Sequence, residues 1–142
     1  MKLLVIHGPN LNLLGMREPE TYGVYTLAQI NEKIEQYAKK YNIEVTIRQT
    51  NHEGVLIDWL QDAREWAHGI ILNPAAYTHT SVAIRDSIAA IKIPVIEVHL
   101  SNIYAREDFR QQSLTAPVCV GQLCGFGWKS YLLAIDFFRM EE

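Results

Sequence analysis

Two side chains, Glu97 and His99, have a spacing that suits proton transfer. They stand two residues apart in an apolar run rich in valine and isoleucine, and on a β-strand such residues leave the same face. A carboxylate beside an imidazole fixes the tautomer and orientation of the ring, which suits a general acid near neutral pH. A structural ion pair would need the same spacing, so both interpretations remain open.

A second proton-handling candidate is Tyr22, which follows Arg17 by five residues in a polar segment. A guanidinium near a phenol favours the phenolate and lowers a side-chain pKa that is ordinarily about 10. Such a phenolate removes a proton from carbon beside a carbonyl, the step that forms an enolate. Packing is the alternative role for a loop tyrosine, and the sequence does not establish whether the two side chains meet.

Cationic and hydroxyl side chains suggest that the ligand is an anion. Arg106 and Arg110 are four residues apart, and on a helix they would share one face and bind a carboxylate or a diol. An exposed face of ion pairs is the alternative. His79 lies just before a predicted helix, where hydroxyl groups cap and free N–H groups attract anions. An N-cap role explains Thr80 or Ser81, but it does not explain His79.

The elements that must position these residues alternate between short apolar runs and longer segments of helical period. This alternation predicts βα units in a parallel sheet. The predicted strands are residues 3–7, 43–49, 69–73, 95–99 and, more weakly, 117–121. The predicted helices are residues 26–41, 54–68, 81–91 and 128–139, the first opened by a capping-box pattern of Thr26 and Gln29.

Polar side chains collect where three of these strands end. The first strand runs into residues 7–10, the third into Asn73, and the fourth into residues 99–102. Open parallel sheets bind ligands beyond the carboxyl ends of their strands, so a site is expected at this edge. The connection 8–25 leaves the same edge and is far longer than the usual two to six residues or so, which predicts an active-site loop.

Composition limits the class of protein. The formal net charge is −3 and the thirteen lysines and arginines are scattered, which argues against nucleic acid as a partner. No signal-peptide pattern or apolar run of about twenty residues occurs, so we expect a cytoplasmic protein with no membrane partner. The length fits a single catalytic domain over residues 1–142.

Common cofactor and metal motifs are missing from the sequence. The segment GPNLNLLG at 8–15 lacks the Lys-Ser/Thr of a Walker loop and the spacing of a dinucleotide fingerprint. No His-x-x-x-His, Cys-x-x-Cys or acidic calcium loop occurs. Cys119 and Cys124 are expected to be inert, mostly buried thiols. We therefore expect neither a cofactor nor a metal.

Six stretches, in order along most of the chain, form a specific combination. They are IHGPNLNLLG at 6–15, REP at 17–19, YG at 22–23, QTNHEG at 49–54, NPAAYTHTS at 73–81 and EVHLSN at 97–102. Together they resemble the type II 3-dehydroquinate dehydratase family. The resemblance implies an α/β, flavodoxin-like three-layer sandwich with a five-stranded parallel sheet. It also implies anti elimination of water from 3-dehydroquinate through an enolate, without a metal or an imine-forming lysine.

The resemblance assigns roles to residues by position. Tyr22 resembles the base that removes the proton beside the ketone, with Arg17 tuning it, and His99 resembles the acid, oriented by Glu97. Asn10 resembles the group that supports the enolate oxygen through an ordered water. The residues that resemble the substrate-binding set are Asn73, His79, Leu100, Ser101 and Arg110, with Arg106 closing over the ligand.

The resemblance further implies a dodecamer of four trimers, in which Asp86 of one subunit reaches the site of its neighbour. Two rival functions remain open. A flavodoxin-like binding module would share the fold without the chemistry, although Pro-Asn-Leu-Asn at 9–12 is unlike a flavin phosphate loop. A related hydro-lyase or isomerase acting on another hydroxylated ring acid would use the same acid-base pair.

Overall fold

The computed structural model describes residues 1–16 and 19–140. Within them the strands are β1 (Lys2–His7), β2 (Glu44–Gln49), β3 (Gly69–Asn73), β4 (Val95–His99) and β5 (Gly121–Cys124). All neighbouring pairs are parallel, and the order across the sheet is β2-β1-β3-β4-β5. This is the strand order of flavodoxin-like folds. The predicted α/β, five-stranded parallel architecture is confirmed.

Helices cover both faces of the sheet. They are α1 (Pro19–Tyr22), α2 (Leu27–Lys40), α3 (Glu53–Asp62), α4 (Val82–Ile91) and α5 (Lys129–Arg139). Side chains of β1 alternate between two cores: Leu3 and Val5 pack with α2 and α5, whereas Leu4 and Ile6 pack with α3 and α4. The sheet is therefore the middle layer of three, which explains why its central strands are apolar on both faces.

The predicted capping box is present at the start of α2. The hydroxyl of Thr26 accepts a hydrogen bond from the backbone N–H of Gln29 at 3.2 Å, and the Gln29 side chain accepts one from the Thr26 N–H at 2.9 Å. This reciprocal pair satisfies two N–H groups that have no partner inside the helix. The predicted helix at 54–68 is shorter than expected, because its α-helical part ends at Asp62 and a 3-10 turn follows over Ala63–Glu65.

The prediction for the fifth strand was wrong in position. Residues 117–121 were expected to be extended, but Ala116–Val118 form a 3-10 turn and the strand begins only at Gly121. Pro117 lies in the first turn of this 3-10 segment, where its missing N–H costs no hydrogen bond. The apolar character of the segment reflects packing of Val118 and Cys119 against the α3/α4 core, not pairing in the sheet.

The carboxyl ends of β1 and β3 approach each other closely at Gly8. Its N–H donates to the carbonyl oxygen of Asn73 at 2.8 Å. A Cβ at this position would lie 2.7 Å from the carbonyl oxygen of Pro74, too close for any side chain without a shift of the backbone. Glycine thus allows the two strand ends, and the polar residues that follow them, to meet at one edge.

The long connection after β1 is anchored at its start. A 3-10 turn covers Leu11–Leu13, and the side chains of Leu11 and Leu14 are buried in the core beneath it. The first half of this connection is therefore held by hydrophobic contacts, which places Asn10 at the edge of the sheet.

Candidate active site

A cleft opens at the carboxyl edge of the sheet, where the sequence predicted a site. Its lining comes from the segments after β1, β3 and β4 and from the 3-10 turns that follow β4. The residues are Pro9, Asn10, Leu11, Leu14, Asn73, Ala75, Ala76, His79, His99, Leu100, Ser101, Ile103, Arg106 and Arg110. The cleft therefore brings together eight of the predicted site residues, namely Asn10, Asn73, His79, His99, Leu100, Ser101, Arg106 and Arg110.

His99 and Glu97 form a buried pair at the base of this cleft. Nε2 of His99 lies 2.9 Å from Oε2 of Glu97, and the two side chains are 6% and 0% exposed. The pair follows from the alternation of side chains along β4. No described residue bonds to the other ring nitrogen, Nδ1, so this atom is available to a ligand.

Glu97 accepts hydrogen bonds from three further side chains. Ser113 and Gln122 donate to Oε2 at 2.9 and 2.8 Å, and Thr115 donates to Oε1. Burial alone raises the pKa of Glu97, but the hydrogen bonds and positive charge around it outweigh burial and hold that pKa below its usual value. The group is thus a carboxylate, so Nε2 of His99 must carry the hydrogen between them.

Sequence reasoning missed these three partners of Glu97. They lie sixteen to twenty-five residues further along the chain, on the segment before β5 and on β5 itself. A buried glutamate inside an apolar strand was the one available signal, because such a group requires several donors. Nothing in the local pattern indicated which donors they are.

His79 is a second histidine in the lining of the cleft. Its Nδ1 is 2.8 Å from the carbonyl oxygen of Gln112, which can only accept, so Nδ1 carries the hydrogen. Burial, opposed in part by this hydrogen bond, lowers the pKa of His79, and the charges of His99 and Arg110 lower it further. A neutral His79 offers the lone pair of Nε2 to a ligand.

Arg106 and Arg110 would share one face if their segment were a helix, but the segment is not one helix. Arg106 follows the 3-10 turn Ile103–Ala105, and Arg110 ends a separate turn at Asp108–Arg110. Both approach the carboxylate of Glu107, with Nε to oxygen distances of 3.7 and 3.1 Å. Both also line the cleft, so they place positive charge along its wall.

Asn10 has an unusual backbone conformation, held by side chains from the end of β2. Its φ is 68°, in the left-handed region that asparagine tolerates better than most residues. The Asn10 N–H donates to Oδ1 of Asn51 at 3.0 Å, and Gln49 donates to the same oxygen at 3.1 Å and to the Gly8 carbonyl at 3.2 Å. Gln49 and Asn51 thus support the cleft, a role that the sequence did not predict.

Three predicted site residues are not placed in this cleft. Arg17 lies outside the described residues, and the backbone of Tyr22 ends α1 while its side chain lies outside what the structure describes. Asp86 is exposed on α4 and does not line the cleft of its own chain. Their predicted roles stay predictions.

A buried chain of hydrogen bonds lies beneath the cleft. Nδ2 of Asn73 is 3.1 Å from the hydroxyl of Tyr131, that hydroxyl is 2.8 Å from Nδ1 of His7, and Nε2 of His7 is 2.8 Å from Oδ1 of Asn31. His7, Asn73 and Tyr131 are 0, 3 and 1% exposed. These hydrogen bonds connect β1, β3, α2 and α5 just below the lining residue Asn73.

The buried imidazole of His7 should make the stability of the fold sensitive to acid. Burial, opposed in part by the bond to Asn31, lowers its pKa from 6.5 to about 4. Between these values the unfolded chain binds a proton at His7 and the folded chain does not, so stability falls as pH falls from 6.5 to 4. The loss is about 3 kcal/mol of unfolding free energy from this group. Urea unfolding at several pH values and one protein concentration measures it.

The matched variants for this test are His7→Asn and His68→Gln. The first variant removes the buried imidazole. Between pH 6 and 4.5 the slope of its unfolding free energy against pH should be smaller than that of the wild type by the equivalent of about one proton, whatever its absolute stability. The second removes a histidine at the opposite edge of the sheet, where its Nδ1 accepts from the Lys2 N–H, and should keep the dependence. An unchanged slope in His7→Asn would contradict the prediction.

The model of the Dehydroquinase class II family matches residues 1–139. The chain belongs to this family. The resemblance seen in the sequence is thereby confirmed, and with it the classification of the chain as an enzyme of the hydro-lyase type. Family membership also removes the main support for a binding module that merely shares the fold.

Individual members of the dehydroquinase family match over nearly the full chain. The 3-dehydroquinate dehydratase of Dictyoglomus turgidum is 57% identical over 136 residues, which cover 96% of this chain and 94% of that protein. The crystal structure of type II dehydroquinase from Butyrivibrio crossotus matches with a TM-score of 0.97 at 50% identity and covers 98 and 97% of the two chains. That of Propionibacterium acnes matches with a TM-score of 0.95 at 36% identity, covering 99 and 97%.

Residues 1–16 and 19–140 contain no group of three or more His, Cys, Asp or Glu side chains arranged to hold a metal ion. They also contain no helix with the length and apolar character needed to cross a membrane. Both cysteines are half-buried, and burial, with the nearby charge of Glu97, raises the pKa of Cys119 to about 12, which makes it a poor nucleophile.

Proposed function

We propose that this protein removes water from 3-dehydroquinate to give 3-dehydroshikimate, as a step of the shikimate pathway in aromatic amino acid biosynthesis. The observation that carries the proposal is the buried Glu97–His99 pair, which opens onto a cationic cleft in a member of the dehydroquinase family. The pair supplies an oriented acid, and the cleft supplies groups that suit a small hydroxylated ring acid.

The proposed reaction is an anti elimination in two steps. Tyr22, tuned by Arg17, takes the proton from the carbon beside the ketone, and the electron pair moves into an enolate. Asn10, through an ordered water, supports the enolate oxygen, as donors do in oxyanion holes. The enolate then reforms the ketone and expels the hydroxyl, which takes a proton from His99 and leaves as water.

Different residues in the lining of the cleft suit the two ends of the substrate. We propose that backbone amides near Ser101 and the guanidinium of Arg110 hold the carboxylate, because charge-assisted bonds of this kind are the strong ones. Asn73, His79 and Leu100 contact the ring and its hydroxyl groups. Arg106 also lines the cleft, and we propose that it closes over the ligand.

The proposal includes assembly and location. We propose a dodecamer built from four trimers, acting in the cytoplasm as single-domain subunits without a cofactor or metal. Asp86 would then complete the cleft of a neighbouring subunit; its exposure on α4, away from its own cleft, is compatible with that role. Light scattering after gel filtration tests the assembly, and a monomer that turns over substrate at full rate would contradict the role of Asp86.

The experiment that tests the function is turnover of 3-dehydroquinate by the purified protein. The product is a conjugated enone, so new ultraviolet absorbance should grow with time. A chelator should leave the rate unchanged. Borohydride added with substrate should not inactivate the protein, since no lysine imine forms. Absence of product at high enzyme concentration would reject the proposal, and inactivation by borohydride would point to an imine mechanism.

Replacing Glu97 with glutamine should lower kcat by about 10- to 100-fold, by analogy with the loss seen when partners that orient metal-bound imidazoles are removed. Glu97 accepts hydrogen bonds through both carboxylate oxygens, whereas glutamine has one acceptor oxygen and no negative charge. The variant therefore holds the His99 ring less firmly and no longer stabilises its protonated form. Glu44→Gln, at the exposed start of β2, is the matched control. Native kcat in Glu97→Gln would show that Glu97 does not orient the acid.

A further inference from the structure

We propose that Tyr131 and His7 form a buried relay that fixes the Asn73 side chain as a hydrogen-bond donor toward the ligand. The relay makes Tyr131 and His7 positioning residues, since neither lines the cleft. The relay rests on the proposed function and adds to it the chemical feature that Asn73 recognises. Kinetic measurements test it with the substrate, and the tautomer of His7 tests it without one.

The direction of the relay follows from one backbone group. The N–H of Ala75 can only donate, and it lies 3.1 Å from Oδ1 of Asn73. Oδ1 therefore faces Ala75, and Nδ2 faces the hydroxyl of Tyr131 at 3.1 Å. Because Nδ2 can only donate, the Tyr131 oxygen accepts this bond, and its own hydrogen is left for a different partner.

That partner is His7, and its tautomer follows. Nδ1 of His7 is 2.8 Å from the Tyr131 oxygen and accepts the phenolic hydrogen. The ring hydrogen is then on Nε2, which donates to Oδ1 of Asn31 at 2.8 Å. Burial raises the pKa of Tyr131 and lowers that of His7, so the phenol stays protonated and the imidazole stays neutral near pH 7. Every bond of the relay then has one donor and one acceptor.

Burial fixes this sequence of donors and acceptors. Tyr131 and His7 are almost completely excluded from solvent, so neither group can exchange its partner for water. Flipping the Asn73 amide would set Nδ2 against the Ala75 N–H, and reversing the bond between Tyr131 and His7 would leave the phenolic hydrogen without an acceptor among the described residues. Such an arrangement is costly. The Asn73 amide is consequently unable to flip, although Asn73 lines the cleft.

The consequence for recognition concerns the second hydrogen on Nδ2 of Asn73. No described residue accepts it, and Asn73 lines the cleft at the end of β3. The relay therefore presents a fixed N–H to the ligand, which selects an acceptor oxygen, such as that of a hydroxyl or carboxylate group. A ligand with an ammonium group at that point would face donor against donor and be rejected.

The kinetic test uses Tyr131→Phe and Asn73→Ala. Each variant removes a hydrogen bond that holds the substrate equally well in the ground state and the transition state. Each should therefore raise KM for 3-dehydroquinate about 10-fold and leave kcat within about twofold of the native value. The double variant should show no further rise, because both changes remove the same contact. Additive effects on KM, or a fall in kcat with native KM, would overturn the relay.

Tyr37→Phe is the matched control for the loss of a hydroxyl. Tyr37 donates to Asp136 at 2.7 Å between α2 and α5, outside the cleft. This variant should lose stability and keep the native KM. A KM shift equal to that of Tyr131→Phe would mean that the effect is general loosening of the α2/α5 layer, and the relay would be rejected.

The second arm is nitrogen NMR of the wild-type protein labelled at its histidines, which needs neither a substrate nor a stable variant. His7 should show the Nε2–H tautomer at neutral pH. An Nδ1–H tautomer or a charged ring would reverse the derived direction and overturn the proposal. If the wild type fails to turn over 3-dehydroquinate, the proposed function fails, while the tautomer still decides whether the relay exists.

Discussion

Replacing His99 with alanine is expected to lower kcat for 3-dehydroquinate by about 100- to 10,000-fold, the usual contribution of a positioned general acid. The leaving hydroxyl would then depart without a proton from the protein. The fold should survive, because Ser113, Thr115 and Gln122 still donate to the buried Glu97 carboxylate. The measurement is kcat and KM together with the thermal unfolding curve.

The matched control for this variant is His68→Ala. His68 lies at the amino edge of the sheet, where its ring accepts from the Lys2 N–H, and it is remote from the cleft. Its removal should leave kcat unchanged. A His99→Ala protein with nearly native kcat would take the role of acid away from His99, whereas an unfolded His99→Ala protein directs the test to His99→Gln.

Replacing Tyr22 with phenylalanine should produce a loss of similar size, about 100- to 10,000-fold in kcat. The ring remains while the hydroxyl that accepts the carbon-bound proton is gone. Tyr25→Phe is the control, because Tyr25 lies three residues further along the same connection and packs edge-on against Trp128 through its ring. Near-native turnover by Tyr22→Phe would assign the base to another group.

Hydrogen exchange separates the two roles. In deuterated water the base alone exchanges the proton beside the ketone, since enolate formation precedes departure of the hydroxyl. NMR of the substrate should show this exchange with His99→Ala and not with Tyr22→Phe. The opposite pattern would interchange the acid and the base.

Much of the scaffold followed from short-range patterns in the sequence. The alternation along residues 95–99 placed Glu97 and His99 on one face of β4, and Thr26 with Gln29 marked the start of α2. These patterns are predictive because strand alternation and helix capping depend on residues two to four positions apart. The strand ends then located the cleft, since parallel strands bring their carboxyl ends to one edge.

Local sequence patterns gave the wrong element where the same residues suited two kinds of secondary structure. Residues 117–121 were apolar enough for a strand, yet Pro117 lies in the 3-10 turn Ala116–Val118 and the strand starts at Gly121. Arg106 and Arg110 had the spacing of one helix face, yet they reach the cleft from separate turns. Strand preference depends strongly on tertiary context, and the spacing of two residues does not by itself make the segment between them helical.

The sequence by itself therefore determined the family, the layered fold and the proximity of Glu97 to His99. Only the tertiary structure showed that Ser113, Thr115 and Gln122 hold that carboxylate, and that the Tyr131 hydroxyl lies within hydrogen-bond distance of both His7, 124 residues away, and the amide of Asn73. The physical reason is that a hydrogen bond between distant segments leaves no periodic trace in the chain. Its partners meet only when the cores on both faces of the sheet bring β1, β3, β4 and α5 into register.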